Sequence, residues 1–329
     1  MAHIHRMQHM ALPHSPWMEK AEGMSKEQRD ALDTLFRNGP LDIGGDPVQQ
    51  REIFTRMLTS RPLPEDVVLT PGGLGKVPVL EVGIDGVTPE GTLLWFHGGF
   101  YVFGSARTSA GLASNVARRT RTRVILVDYR LAPEHPFPAA PDDALAAYRA
   151  LLGETRSGDP ARIAVVGESA GAGLAGALLV RACEQNLPMP AAGVLFSPYA
   201  DLTLSGASMT TRIAVDPSFT PDAIAVRAKD YTGAADPANP LISPVFANLR
   251  GLPPLLIQVG SNELLLDDAV RLAARAAADD VPVTLEVTPG VPHLFQAFAA
   301  MLDEGEAALR RVTEFLHAAF TTDNMEPNG

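Results

Sequence analysis

One short stretch of the chain, "VVGESAGAGLAG" from Val165 to Gly176, fits two different kinds of chemistry. "GESAG" is a G-x-S-x-G pattern, which presents a nucleophilic serine on a strand-to-helix turn. The overlapping "GAGLAG" is a G-x-G-x-x-G pattern, which cradles a dinucleotide pyrophosphate. Register separates them. A nucleotide fingerprint needs its first glycine directly after the strand, so that the pyrophosphate meets the helix N-terminus. Here the apolar run "RIAVV" ends at Val166, and Gly171, Gly173 and Gly176 fall inside the following helix. The acidic residue needed roughly twenty positions on is missing too, since the next strand ends in "FSP". Ser169 occupies the turn itself, and Gly167 and Gly171 leave the space that such an elbow needs.

A serine hydroxyl is a weak nucleophile until a base takes its proton. His3, His5, His9 and His14 lie in the N-terminal tail, His97 and His135 precede the serine, and His317 falls in the terminal helix. With the chain order serine, acid, histidine, the base is His293, in the loop "TPGVPHLF" after the strand "VTLEV". The acid belongs after the preceding strand, in "SNELLLDDA", where Glu263, Asp267 and Asp268 compete. Glu263 is nearest the strand end. Asp267 and Asp268 read as first-turn helix residues favoured by the dipole, so Glu263 is preferred and Asp267 comes next. Donors for an oxyanion are expected from the backbone amides of Gly98 and Gly99, in "WFHGGF", together with that of Ala170 beside the nucleophile. His97 reads as an architectural residue rather than a second base.

The elements that must hold these residues follow from periodicity. Helices are expected at "SKEQRDALDTLFRNG", capped by Ser25, and at "DPVQQREIFTRMLTS". "DVVLTP" and "VPVLEVGID" alternate and read as antiparallel strands near a sheet edge. The runs "TLLWFH", "RVILVDY", "RIAVVG", "GVLFSP", "PLLIQVG" and "VTLEVTP" then alternate with helices near residues 109–119, 141–152, 170–185, 267–278 and 304–320. Continuous Val/Ile/Leu strands separated by helices imply an α/β fold whose mostly parallel central sheet is covered on both faces. About fifty residues between "FSPYADLT" and "GLPPLLIQVG" break the rhythm, and a stretch that long is expected to be an inserted cap or binding element.

Composition narrows the partners. At 46% hydrophobic and 20% charged residues the chain is globular, and its 329 residues can bury a large core. A net charge of −11 argues against nucleic acid or an anionic membrane surface. The basic run "ARRTRTR" (117–123) reads as a solvated helix end followed by a loop. The single Cys183 excludes an internal disulfide and reads as a packed thiol. With no apolar leader in the N-terminal segment and no run of membrane-spanning length, a cytoplasmic protein is expected. A terminal tail gives its four histidines no fixed ligand geometry, so neither metal nor cofactor is expected.

From about Ser25 onward the chain resembles the bacterial hormone-sensitive-lipase-like carboxylesterases (family IV esterases) of the α/β-hydrolase superfamily. The resemblance rests on "HGGF", "VDYRLAPEHPFPAAPDDA", "GESAG", "SPYADLT" and the acid and histidine loops. It implies an α/β-hydrolase fold with a helical cap. The expected division is 1–60 for the tail and cap helices, 61–201 for the first part of the core, 202–235 for the cap insertion and 236–329 for the rest of the core. It implies Ser169 as nucleophile, His293 as base and the amides of Gly98, Gly99 and Ala170 as oxyanion hole. The family's "DPLRD"-like segment aligns with "ELLLD", putting Glu263 on the acid and Asp267 on the second aspartate. Phe100 stands where the family often has a third glycine. Phe100, Tyr101, Phe219 and Phe295 are the expected pocket residues. The implied substrate is a small-molecule ester or lactone of short to medium acyl length, hydrolysed through an acyl-enzyme, and homodimers are common in the family. The alternatives are an amidase or deacetylase on the same triad and a catalytically silent small-molecule receptor.

Overall fold

The computed structural model describes residues 16–154 and 158–321. The four tail histidines lie outside them. The chain opens with two helices, α1 (Pro16–Arg37) and α2 (Pro47–Thr59), and a hairpin of β1 (Val67–Leu74) and β2 (Val77–Ile84). There follow β3 (Gly91–Phe96), α3 (Ala106–Thr120), β4 (Thr122–Val127), α4 (Ala139–Leu152), β5 (Ile163–Glu168), α5 (Ala170–Glu184) and β6 (Ala192–Phe196). The insertion carries α6 (Ser208–Thr211) and α7 (Pro221–Thr232). The chain closes with β7 (Leu255–Gly260), α8 (Leu266–Ala278), β8 (Val283–Thr288) and α9 (Asp303–Thr321).

The eight strands form one sheet in the order β1-β2-β4-β3-β5-β6-β7-β8. β1 pairs antiparallel with β2 and β2 with β4; every later pairing is parallel. Side chains alternate between the two faces, as the pleat demands. Leu94 and Phe96 of β3 join Leu145, Leu174 and Leu272 from α4, α5 and α8. Leu93 and Trp95 join Ala113, Val116, Leu309 and Val312 from α3 and α9. α5 is almost wholly small or apolar and buried along its length, as a helix against the middle of a sheet must be. α2 starts where Asp46 accepts a hydrogen bond from the Gln49 amide at 3.0 Å, with Pro47 in the first turn.

Three local expectations change. Ser25 is not a cap: α1 begins at Pro16, and the Ser25 hydroxyl bonds to Glu304 at the start of α9. A tertiary partner here outweighs a local capping preference. The basic run does not lead into a loop either. Arg121 alone, in the left-handed region at φ 52°, turns the end of α3 into β4. Finally, β5 runs on to Glu168 rather than stopping at Val166, so Ser169 follows the strand directly.

In a parallel sheet all strands end on one edge, and ligand sites of open α/β sheets lie there. The order reverses between β3 and β5, where Phe96 lies opposite Gly167. Glu168 lies opposite Phe196, and Gly260 opposite Thr288. The segments carrying His97, Ser169, Ser197, Glu263 and His293 therefore leave the sheet along one edge.

Candidate active site

Ser169 sits at φ 54° and ψ −119°, a backbone state that L-residues seldom adopt, and it lies between the last residue of β5 and the first of α5. Its amide donates to the Phe196 carbonyl at 2.8 Å and its carbonyl accepts from the Tyr199 amide at 3.0 Å, which fixes the turn against the end of β6. Gly171 makes the turn possible, because a Cβ there would overlap the carbonyl oxygen of Phe96. The N-terminus of α5 points its free amides at this corner, favouring negative charge beside Ser169.

Glu263 and His293 meet in a buried pair. Glu263 Oε2 lies 2.7 Å from His293 Nδ1, and neither side chain is more than 6% exposed. The other carboxylate oxygen accepts the Ser197 hydroxyl at 2.8 Å and the Gly260 amide at 2.5 Å. A carboxylate so held makes Nδ1 the protonated nitrogen and leaves Nε2 with a lone pair. Among the described residues neither Nε2 nor the Ser169 hydroxyl has a hydrogen-bond partner, and such bonds commonly tighten only with substrate bound. The competing aspartates are committed elsewhere. Asp267 accepts the Ser208 amide at 2.9 Å, and Asp268 accepts the amides of Ala200 and Asp201, both at 2.8 Å.

The glycine loop is braced from below. His97 Nδ1 meets the Gly98 carbonyl at 2.8 Å, its ring stacks on Tyr129 at 4.2 Å, and the Tyr129 hydroxyl donates to the His97 carbonyl at 2.7 Å. Burial pushes the imidazole down to about 4, so it is neutral near pH 7 and serves as a strut rather than a base. The "YRLAPEHPFPA" block continues the bracing. The Ala132 amide donates to the Tyr101 carbonyl at 2.9 Å, and Arg51 of α2 donates to the Val102 and Ala132 carbonyls, each at 2.7 Å.

Not every expected site residue comes together. Glu168, a buried acid beside Gly98, accepts from Trp95 Nε1 at 3.3 Å and from the Ser109 hydroxyl. Gly98 lies against the elbow, where an added Cβ would come within 3.2 Å of the Ser169 Cβ. Burial raises the pKa of Glu168, opposed by these donors and by His293. Phe219 and Phe100 do reach the site. The Phe219 ring stands edge-on to His293 at 4.8 Å and to Phe100 at 5.0 Å, and Phe100 abuts Tyr199 at 5.4 Å. Tyr101 instead stacks on Tyr231 at 3.7 Å, inside the core. Phe295 is buried among Leu32, Val291 and Leu302, where α1 and α9 meet. Neither Tyr101 nor Phe295 lies in a regular strand, and in such turns spacing alone does not reveal which way a side chain points. Ser197, Glu168 and Asp216 were not anticipated: Glu168 fills a variable position of the G-x-S-x-G pattern, and Ser197 and Asp216 are single polar residues with no assigned role in any motif.

Residues 93–297 match the protein family described as alpha/beta hydrolase fold. An acetyl-hydrolase of Streptomyces hygroscopicus is 43% identical over 228 residues, 69% of this chain and 76% of that protein. An esterase of Acinetobacter venetianus is 41% identical over 220 residues, 67% of this chain and 72% of its own length. The crystal structure of an esterase from the bacterial hormone-sensitive lipase family superposes with a TM-score of 0.85. It is 41% identical, and the match covers 89% of this chain and 98% of that one. The chain belongs to the hormone-sensitive-lipase-like carboxylesterases of the alpha/beta hydrolase fold. As a carboxylesterase it hydrolyses carboxylic esters, and no helix among its described residues is long and apolar enough to cross a membrane.

Proposed function

We propose that this carboxylesterase works through a triad of Ser169, His293 and Glu263 and an acyl-enzyme intermediate. The buried 2.7 Å contact between Glu263 and His293, beside a serine at positive φ, is the observation that carries the reading. His293 Nε2 takes the Ser169 proton as the hydroxyl attacks the ester carbonyl, and the carbonyl oxygen gathers negative charge. The amides of Gly98, Gly99 and Ala170 receive that charge, helped by the N-terminal end of α5. The imidazolium, balanced by Glu263, then protonates the leaving alcohol. Water repeats the sequence on the acyl-serine and releases the acid.

The substrate class proposed is short acyl esters or lactones. Phe219 stands against both His293 and Phe100, and this pair of rings is the wall proposed to favour short acyl chains. α1, α2 and the 202–235 insertion act as the cap over this edge of the sheet; the α1–α2 connection approaches α7, with Gly44 beside Ala223. An ester substrate is preferred over an amide because the similar proteins bear the names acetyl-hydrolase and esterase.

Ser169→Ala tests the nucleophile. It is expected to fold normally and to lose p-nitrophenyl acetate turnover by at least about 10⁴-fold. Activity within tenfold of the parent enzyme would remove Ser169 from the mechanism.

A further inference from the structure

Leu264, the residue directly after Glu263, is held at both ends of its backbone by side chains of the insertion. Its amide donates to Asp216 Oδ2 at 2.7 Å, and its carbonyl accepts the Ser208 hydroxyl at 2.6 Å. The other oxygen of Asp216 turns to its own segment and accepts the amides of Ser218 at 2.7 Å and Phe219 at 3.1 Å. Phe219 is the ring that stands against both His293 and Phe100. A single carboxylate thus connects the acid loop to the aromatic wall of the site.

We propose that Asp216 is a positioning residue that sets Glu263 and Phe219 in one fixed relation, so that it governs both turnover and acyl selectivity. The inference rests on the triad reading given above.

A simple turn-forming role does not account for the arrangement. Asp216 is only 4% exposed, and it lies near a second buried carboxylate, Glu263, whose charge opposes its own. Burial is the largest influence and raises its pKa; the amides of Leu264 and Ser218 and the charge of His293 act against it. A turn could be closed by a neutral acceptor at the surface, without the cost of burying a carboxylate. What needs a carboxylate is the donor set: three N–H groups converge on two oxygens. Asparagine has one accepting atom, so its NH₂ would face either Leu264 or the Ser218–Phe219 pair, donor against donor. The acid loop or the aromatic wall would then be released, but not both.

The test compares Asp216→Asn, Asp216→Ala, Phe219→Ala and the double variant Asp216→Ala/Phe219→Ala on p-nitrophenyl acetate and octanoate. Asp216→Asn is expected to lower kcat on acetate by roughly tenfold and to shift the acetate-to-octanoate ratio of kcat/KM. It should also move the acidic limb of the kcat/KM profile to lower pH by about half a unit. The sign follows because removing a negative charge near His293 disfavours the imidazolium. In the double-mutant cycle the two changes should fall short of additive in the acyl ratio, since both act on one wall. Should Asp216→Ala fail to fold, the same cycle is run with Asp216→Asn.

If Asp216→Asn lowers only the thermal midpoint, with pH profile and acyl ratio unchanged, Asp216 is a structural tie and the proposal falls. Full additivity in the cycle would also overturn it. If Glu263→Gln proves nearly as active as the parent enzyme, the triad reading fails instead, and that result is independent of any Asp216 variant.

Discussion

Replacing Glu263 by glutamine keeps the size of the side chain and removes its charge, in a place where three donors converge. Ser197 Oγ and the Gly260 amide both meet one oxygen, and His293 Nδ1 meets the other. A glutamine carbonyl is best placed facing the two donors, which turns its NH₂ toward Nδ1. The imidazole then carries its proton on Nε2 and cannot accept one from Ser169. The opposite rotamer restores the tautomer but sets the NH₂ against the Gly260 amide, at about 1–3 kcal/mol for an unsatisfied buried donor. The imidazolium formed in the transition state also loses a charge-assisted hydrogen bond, typically about 1.5–3 kcal/mol. Together these come to about 2.5–6 kcal/mol, or roughly 10²–10⁴ in kcat at about 1.4 kcal/mol per decade. The assay is steady-state hydrolysis of p-nitrophenyl acetate, with circular dichroism to verify the fold and Asp267→Asn as the comparison. Asp267 contacts Ser208 rather than His293, so its variant should stay within tenfold of the parent enzyme. A folded Glu263→Gln enzyme with kcat within tenfold of the parent, or an Asp267→Asn enzyme equally impaired, would refute the assignment.

Three further outcomes follow from the geometry. Since burial holds His97 down to about 4 from its ordinary 6.5, the unfolded chain binds this proton first as pH falls. The stabilisation is complete above pH 6.5 and is lost between there and pH 4, about 3 kcal/mol in all. Guanidinium midpoints across that range should fall less steeply in His97→Asn, and equal slopes would contradict the account. Gly171→Ala should be poorly folded or lose several kcal/mol, because the added carbon meets backbone of β3 that cannot move aside. A thermal midpoint equal to the parent's would count against the elbow packing. Phe100→Gly removes a ring held at φ 56° between Tyr199 and Phe219. Relief of about 1–3 kcal/mol of backbone strain partly offsets about 3–5 kcal/mol of lost packing. Net stability should drop by about 2 kcal/mol while activity shifts toward longer acyl chains; an unchanged chain-length profile would exclude Phe100 from the pocket.

Much of this protein was legible in one dimension because the physics involved is local. The strand runs and the helices between them came from side-chain period, and apart from α1, which starts at Pro16 rather than after Ser25, these elements begin and end within a few residues of the expected ones. The elbow was legible because Gly167, Ser169 and Gly171 act over a single turn. The order serine, acid, histidine came instead from the resemblance; Ser169, Glu263 and His293 follow β5, β7 and β8 in turn. Which acid faces the histidine was not local: Glu263, Asp267 and Asp268 lie within six positions, and only the curl of that loop around Ser197 and Gly260 separates them. Likewise the partner of Ser25 lies on α9, and Tyr101 and Phe295 turn into packing clusters. Asp216 shows the division most plainly. In the sequence it is one of 38 acidic residues, beside a proline in an irregular segment. In the fold it lies against the residue after Glu263, 48 positions away, and no periodicity or spacing encodes a contact made by the crossing of two separate loops. "GESAG" by itself located the strained turn on which the proposed nucleophile sits; the tertiary structure decided which groups surround it.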